Sequence, residues 1–141
     1  MPIMNIHLKD DCFSEAQISE LLEQSSQYYC EVLECPIDRV RVFINTYPGN
    51  RMAVKGKVCS DPDDKGAPYF EFILLEGRPV DQVQQLIEKF TGLIASVLQV
   101  EQNLVRGACW PVHPAHWGIG GVPASMLRAG EIAARTNKSD T

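Results

Sequence analysis

A proline stands directly behind the initiator methionine, in the opening MPIMNIHL. Removal of Met1 would leave Pro2 with a free secondary amine, a basic group that no side chain supplies. Such an amine can accept and return a proton, which is what a general base does when its pKa lies near the working pH. A structural alternative exists, because proline is tolerated at the first residue of a strand. The opening alone leaves both interpretations standing.

A second proline, Pro68, opens a similar run, PYFEFILL. Its nitrogen is joined to Ala67 in an amide and has no basic lone pair. The sequence therefore predicts one proline-amine site, at Pro2, and not two. Arg41 and Arg106 stand at matching places in the two halves. A guanidinium group can bind a carboxylate with two hydrogen bonds and can stabilise negative charge as it develops.

Two similar strand–helix–strand patterns must position these residues. In the first half, Ser14 and Gln17 form a capping-box pattern at the start of a helix. In the second half, Pro79 is expected in the first helical turn. The strand-like runs are 2–8, 40–46, 68–75 and 103–109. We predict an α/β (α+β) fold in which two fused β-α-β units form a four-stranded sheet with two helices on one face.

This fold is expected to be one pseudo-two-fold symmetric domain. Residues 1–62 form its first unit, 63–125 its second, and 126–141 a C-terminal tail. Side chains alternate across a strand, so we expect that the apolar strand residues cannot all point at the helices. An apolar uncovered face would be an aggregation hazard, which predicts self-association. The residues concerned are Phe70, Phe72, Leu74, Val42 and Ile44.

Composition narrows the classes of function. The 141 residues are 45% hydrophobic and 22% charged, as in an ordinary soluble domain. A net charge of −5 without a basic run disfavours binding to nucleic acid or to an anionic membrane. The N-terminal segment carries His7, Lys9 and Asp10 where a signal peptide needs an apolar core, so we expect a cytoplasmic protein. The five scattered cysteines predict apolar fillers, not disulfides or a metal site.

The second half carries a specific resemblance to a known family. Its run PYFEFILLEGR at 68–78, the following helix, LVR at 104–106 and the hairpin HWGIGG at 116–121 resemble 4-oxalocrotonate tautomerase, of the tautomerase superfamily. The first half matches more loosely, with Cys12 where the second half has Arg78. The resemblance extends from residue 2 to about residue 125 and is closest to the fused, two-unit members. It implies catalysis by an N-terminal proline and a homotrimer of two-unit chains.

The resemblance also implies roles for residues that match its motifs. Pro2 would be the general base in the enol–keto tautomerisation of 2-hydroxydienoate or enolpyruvate-type carboxylic acids. Arg78 comes from the unit that pairs with the proline-bearing unit, and a strand arginine comes from a neighbouring chain, with Arg106 favoured over Arg41. The remaining substrate-binding positions are Trp117, Ile119 and Leu75. The resemblance implies a small carboxylate substrate and neither a metal nor an organic cofactor.

Each of these positions has a structural alternative. Arg41 could be a solvated charge at the rim of the sheet, and Arg78 could form a salt bridge at the start of a helix. Trp117 could pack in the core or at a trimer interface. For Ile119 and the glycines beside it, a hairpin turn with positive φ is the simpler interpretation.

Two other functions stay open at this stage. A 3-haloacrylate dehalogenase or a malonate semialdehyde decarboxylase would use a protonated proline and a group that activates water. Tyr29 stands where a cis-3-chloroacrylic acid dehalogenase would have its histidine, the segment after Trp110 lacks that family's glutamate, and Asp38 is displaced by one position from the decarboxylase aspartate. A non-catalytic, cytokine-like binding protein is the other alternative, for which Cys12 leaves room.

Overall fold

The computed structural model describes residues 2–139, with the side chains of residues 2–137. Met1, whose removal the proposed chemistry requires, lies outside the described residues. The long strands are β1 (Ile3–Lys9), β2 (Arg41–Tyr47), β5 (Tyr69–Leu75) and β6 (Arg106–Val112), and the two-residue strands are β3 (Ala53–Val54), β4 (Lys57–Val58), β7 (Gly118–Ile119) and β8 (Val122–Pro123). The helices are α1 (Glu15–Leu33), α2 (Val80–Leu98), α3 (Ala124–Leu127) and α4 (Ala129–Ser139).

The four long strands form one mixed sheet in the order β2-β1-β5-β6. Each β-α-β unit pairs its own two strands in parallel, and β1 and β5 join the units antiparallel at the centre. The register repeats, because Arg41 N donates to Pro2 O at 3.0 Å and Arg106 N donates to Pro68 O at 3.1 Å. The predicted fold, with its pseudo-two-fold relation, is confirmed.

The sequence signals for the helix starts are largely confirmed. Ser14 Oγ accepts from Gln17 N at 3.1 Å, and Gln17 Oε1 accepts from Ser14 N at 2.9 Å, so the capping box is complete. Pro79 lies one residue before α2 with extended backbone angles, not inside the first turn as predicted. Its missing N–H is harmless in either place, because the first amides of a helix have no partner within the helix.

The core lies between the sheet and the two long helices, and here one prediction is wrong. Phe70, Phe72 and Leu74 are all buried, and Val42 and Ile44 pack against the same cluster. All five point at the helices because the register aligns them: Ile6 is paired with Ile44 on one side and with Phe70 on the other. Residues at even positions of these three strands therefore share one face.

The uncovered face of the sheet is a mixture of polar and aromatic side chains. Glu71 lies near its centre, where its Oε2 accepts from Trp110 Nε1 at 3.1 Å and from Tyr69 Oη at 3.2 Å. The His7 ring stacks on Tyr69, with ring centroids 5.5 Å apart. Phe43 and Trp110 remain about half exposed, at 50% and 54%. The face is thus less apolar than expected, but it still presents large aromatic groups.

Both hairpins turn through residues with positive φ. Gly120 and Gly121 have φ of 56° and 85°, which confirms the turn expected for the GIGG run. The first-half hairpin uses Lys55 and Gly56 in the same places. The segment expected as a tail continues as α3 and α4. Within the described part of the chain, no helix combines the length and the apolar character that crossing a membrane would require.

Gly107 tests how tightly β6 fits against the core. A methyl group at this position would overlap the ring of Phe70, whereas one at Gly92, inside α2, would meet nothing within 4 Å. Gly107→Ala is expected to lower the free energy of unfolding by about 2 kcal/mol or more. Gly92→Ala should raise it by about 0.5–1 kcal/mol, because glycine is a poor helix former. Urea unfolding of both variants measures the two effects, and equal stabilities would contradict the packing described.

Candidate active site

Pro2 is buried at the start of β1, in the middle of the sheet. Because Ile3 is paired with Ile73, the end of the antiparallel strand β5 runs alongside Pro2. Leu74 and Leu75 therefore line the same cavity as Pro2, together with Leu33 and Cys35. Burial raises the pKa of the Cys35 thiol, which keeps it neutral. One wall of the Pro2 cavity is thus uncharged and largely apolar.

Arg78 reaches this cavity from the turn that follows β5. Gly77 makes the turn with a φ of 100°. Arg78 Nη1 then donates to Leu33 O at 3.1 Å, one of the carbonyls left without a helical partner at the end of α1. Burial lowers the pKa of Arg78, and the charge of Arg135 lowers it further. The family resemblance implied that Arg78 accompanies Pro2, and the fold places both residues at the same cavity.

Three further arginines line the cavity, namely Arg39, Arg128 and Arg135. Arg128 directly precedes α4, and Glu131 and Arg135 lie within it, at spacings of three and four residues that bring all three to one side of the helix. Glu131 accepts a hydrogen bond of 3.0 Å on each carboxylate oxygen from Arg39. Those bonds hold the pKa of the Glu131 carboxyl below its usual value. Among the described residues that line the cavity, four arginines thus face one carboxylate.

Not all of the predicted site residues meet in one chain. Pro2, Arg78 and Leu75 line the cavity, whereas Arg41, Arg106, Trp117 and Ile119 do not. Arg41 donates to Arg39 O at 3.3 Å, and Arg106 donates to the backbone oxygens of Asn103 and Val105. Both arginines begin the outermost strands, β2 and β6, and are exposed. Residues on these edges can reach another site only across an interface between chains.

Sequence reasoning missed Arg39, Arg128 and Arg135. The last two fall in the predicted tail, outside the motifs that carried the resemblance. Their spacing with Glu131 was a readable signal for one helical face. The sequence could not indicate, however, that this face would lie over Pro2. Arg39 lies two residues before Arg41 and belongs to none of the motifs that carried the resemblance.

The end of the sheet beside Pro68 corresponds to the Pro2 end in the pseudo-two-fold relation, and side chains fill it. Lys9 stands there in the place that Leu75 takes beside Pro2, and its Nζ donates to Asp61 O and Asp64 O at 2.6 Å each. Lys65 Nζ donates to Gln99 O at 3.2 Å, at the end of α2, much as Arg78 does at the end of α1. The segment between the two units thus fills this end of the sheet.

Tyr29 belongs to the core and not to the cavity. Its hydroxyl donates a hydrogen bond to Ile73 O at 2.8 Å, and the Ile3 carbonyl oxygen is a second, longer acceptor at 3.3 Å. Its ring packs edge-on against Phe72 and Phe90, with centroids 5.9 and 5.3 Å away. Burial raises the pKa of Tyr29 well above its usual value, so the hydroxyl stays protonated. The side chain bridges α1 to the central strand pair, which is a structural role.

Comparison with known proteins places the chain in context. No protein-family model matches it. A probable tautomerase of Ralstonia nicotianae is 33% identical over 61 residues, which is 43% of this chain and 87% of that protein. The crystal structure of a native fused 4-oxalocrotonate tautomerase superposes with a TM-score of 0.82 at 25% identity, covering 89% of this chain and 98% of that one.

Two more distant structures share the fold. A wild-type fused 4-oxalocrotonate tautomerase, solved as an asymmetric trimer, has a TM-score of 0.80 at 22% identity and covers 89% of this chain and 98% of its own. A member of the cis-3-chloroacrylic acid dehalogenase family has a TM-score of 0.75 at 14% identity, over 99% of both chains. At these identities the likeness concerns the fold alone.

The contacts of Tyr29 predict the effect of removing its hydroxyl. Tyr29→Phe keeps the ring contacts but loses the hydrogen bond to Ile73 O, so the free energy of unfolding should fall by about 1 kcal/mol. Tyr29→Ala also creates a cavity and should cost about 3–5 kcal/mol. Urea unfolding curves of the two variants provide the measurement. A Tyr29→Phe protein as destabilised as Tyr29→Ala would contradict the packing role of the ring.

Proposed function

Because the chain belongs to the tautomerase superfamily and is a fused 4-oxalocrotonate tautomerase-like protein, we propose that it is an enol–keto tautomerase with Pro2 as general base. Proteins of this superfamily include tautomerases and dehalogenases, which are enzymes. The single observation that carries the proposal is the burial of Pro2 in a cavity that it shares with Arg78 and three more arginines. The proposed substrates are 2-hydroxydienoates or enolpyruvate-type acids.

The proposed reaction moves one proton and needs no redox change. With Met1 removed, the Pro2 nitrogen takes the proton of the 2-hydroxyl group of the dienol. The oxygen then forms a carbonyl, the double bonds shift, and the protonated proline returns the proton to carbon. Arg78 is placed to stabilise the negative oxygen or the carboxylate during this shift. The leucines of the cavity limit the access of water.

The surroundings of Pro2 favour the basic form of its amine. Nearby guanidinium charges and apolar walls both disfavour the ammonium form. An ordinary α-amine has a pKa of about 8, so the pKa of Pro2 is expected to lie below that value. A nitrogen that is unprotonated at neutral pH can act as base, whereas a protonated one would act as acid.

A homotrimer is proposed as the working assembly. Fused neighbours of the same fold are trimers. The uncovered face presents Phe43 and Trp110 half exposed, which favours burial against another chain. Arg41 or Arg106 of a neighbouring chain would then complete the site, and Trp117 and Ile119 would contribute its apolar wall. We further propose that units 1–62 and 63–125 act as one domain in a cytoplasmic protein.

Replacement of Pro2 tests the base directly. Pro2→Ala keeps an amine but changes its basicity and geometry, so kcat/KM for the ketonisation of 2-hydroxymuconate should fall at least 10-fold, or ~1.4 kcal/mol. Pro68→Ala is the matched control and should keep its activity, because the Pro68 nitrogen is an amide. An unchanged turnover in Pro2→Ala counts decisively against the proposed base.

The state of the amine is tested by mass and by titration. The mass of the purified protein shows whether Met1 is absent, and a retained Met1 would exclude catalysis by Pro2. NMR titration of the Pro2 nitrogen should then give a pKa of about 6–7 if Pro2 is a base. A value above about 9 would instead indicate a proline that acts as acid.

The alternative functions lack a comparable observation. Hydration of a 3-haloacrylate needs a group that activates water, and Tyr29 donates its hydroxyl to the backbone within the core. Glu131 is a carboxylate at the cavity, but its bonds to Arg39 lower its pKa and therefore its basicity. Halide release from chloroacrylates, assayed beside ketonisation of 2-hydroxymuconate, separates these reactions. A cytokine-like binding protein would turn over neither compound.

A further inference from the structure

The C-terminal helix α4 presents a charged face to the Pro2 cavity. Arg128, Glu131 and Arg135 all line it, and Ala134 lines the wider groove beside it. Glu131 is held by Arg39 through two parallel hydrogen bonds of 3.0 Å. This is the paired geometry with which arginine binds the carboxylate of a ligand. Glu131 therefore occupies a position that suits a substrate carboxylate.

A buried donor at this position has no acceptor. Four guanidinium groups and one carboxylate line the cavity among the described residues. The Nε of Arg128 is buried without a hydrogen-bond partner. A buried donor without an acceptor costs free energy, which an anionic ligand can recover.

The space at the site is limited by α4. The free volume of the cavity is about 30 Å³, enough for about two water molecules. The cavity borders a wider groove that shares Arg39, Arg78, Glu131 and Arg135. A six-carbon acid does not fit in the cavity unless the side chain of Glu131, or the helix itself, moves aside. The side chains of Arg39 and Glu131 are 24% and 48% exposed, and an ion pair of that kind is weak.

We propose that α4 is part of the binding site for the substrate: the substrate carboxylate displaces Glu131 from Arg39, and Arg128 and Arg135 bind that carboxylate from the helix. The identity of the ligand rests on the proposed function, but the binding does not depend on proton transfer by Pro2. Glu131 holds the place of the carboxylate while the site is empty. The C-terminal segment, which lies outside the family motifs, thereby becomes a substrate-binding element.

Muconate is a suitable probe, because it is a six-carbon diene dicarboxylate without the 2-hydroxyl group and cannot tautomerise. Its binding to the full chain is measured by titration calorimetry. Arg128→Gln and Arg135→Gln should each weaken binding at least about 10-fold, as expected for a charged hydrogen bond. Lys89→Gln removes the same charge from the helix layer, where Lys89 lies over the Tyr28 ring, and should leave the affinity unchanged.

Two adjacent alanines provide a matched pair on α4 itself. Both are exposed, but Ala134 lines the groove, whereas Ala133 lines neither the cavity nor the groove. Ala134→Glu places a carboxylate at the site and should weaken muconate binding several-fold, while Ala133→Glu should not change it. Both variants keep a helix-forming residue, so melting temperatures should stay close to each other. Equal affinities for the two variants would overturn the placement of the ligand.

Glu131→Gln examines the displacement itself. Loss of the competing carboxylate should tighten muconate binding by about 2- to 5-fold, the range expected for an exposed ion pair. Weaker binding in Glu131→Gln would show that Glu131 instead supports the site, and would overturn the displacement.

Pro2→Ala separates the two proposals. It should lose turnover and still bind muconate. Retained turnover in Pro2→Ala would end the proposed function and leave the role of α4 standing. Unchanged muconate affinity in Arg128→Gln, Arg135→Gln and Ala134→Glu would end the role of α4 and leave the proposed base standing.

Discussion

The antiparallel pairing of β1 with β5 at the centre of the sheet is the constraint on which the site depends. With Ile3 opposite Ile73, the first residue of one unit must lie beside the last residues of the strand from the other unit. The turn that follows β5 then carries Arg78 to Pro2, without any long excursion of the chain. A shift of one residue in this register would turn the core side chains of β1 to the opposite face. The buried leucines and phenylalanines therefore fix the geometry of the site as well as the fold.

The same pairing creates a second, equivalent end of the sheet beside Pro68, and in this chain side chains fill it. The residues Lys9 to Cys12 correspond to Leu75 to Arg78, and Asp11 adopts a positive φ of 60° in the place of Gly77. The Pro2 end has the apolar Leu75 and Arg78, whereas the Pro68 end has Lys9 and Cys12 at the corresponding positions. Lys9 binds the connecting segment through Asp61 O and Asp64 O. A chain terminus can exist at only one of the two ends, so the fusion leaves the other end free to become structural.

The sequence predicted the strands and the helices because they depend on local periodicity, whereas the shared cavity of Pro2 and Arg78 was implied only by the family resemblance. The starts of β2 and β6 are Arg41 and Arg106, one and three residues later than predicted, since short turns precede both strands. The expectation that the apolar strand residues could not all point at the helices was wrong, although the shared parity of positions such as Phe70 and Ile44 could have shown the alignment. The roles of Arg128 and Arg135 depend on how α4 packs against a distant part of the chain, and local patterns carry no such information. The partners of Arg41 and Arg106 across an interface are not encoded in one chain's local pattern at all.

The balance of charge connects the stability of the site with its chemistry. Arg78 lies at the carboxyl end of α1, where the partial negative charge of the helix stabilises a cation. Glu131 supplies a full negative charge on the other side, and its folded-state pKa lies below its unfolded value. The stabilisation from Glu131 is therefore present above the unfolded pKa of about 4.3 and is lost as the pH falls through the lower, folded value. At neutral pH the Glu131 carboxylate binds Arg39 in a partly exposed ion pair, which is weak. An incoming anion can replace it without leaving the guanidinium groups uncompensated, and by binding the folded state it also stabilises the fold.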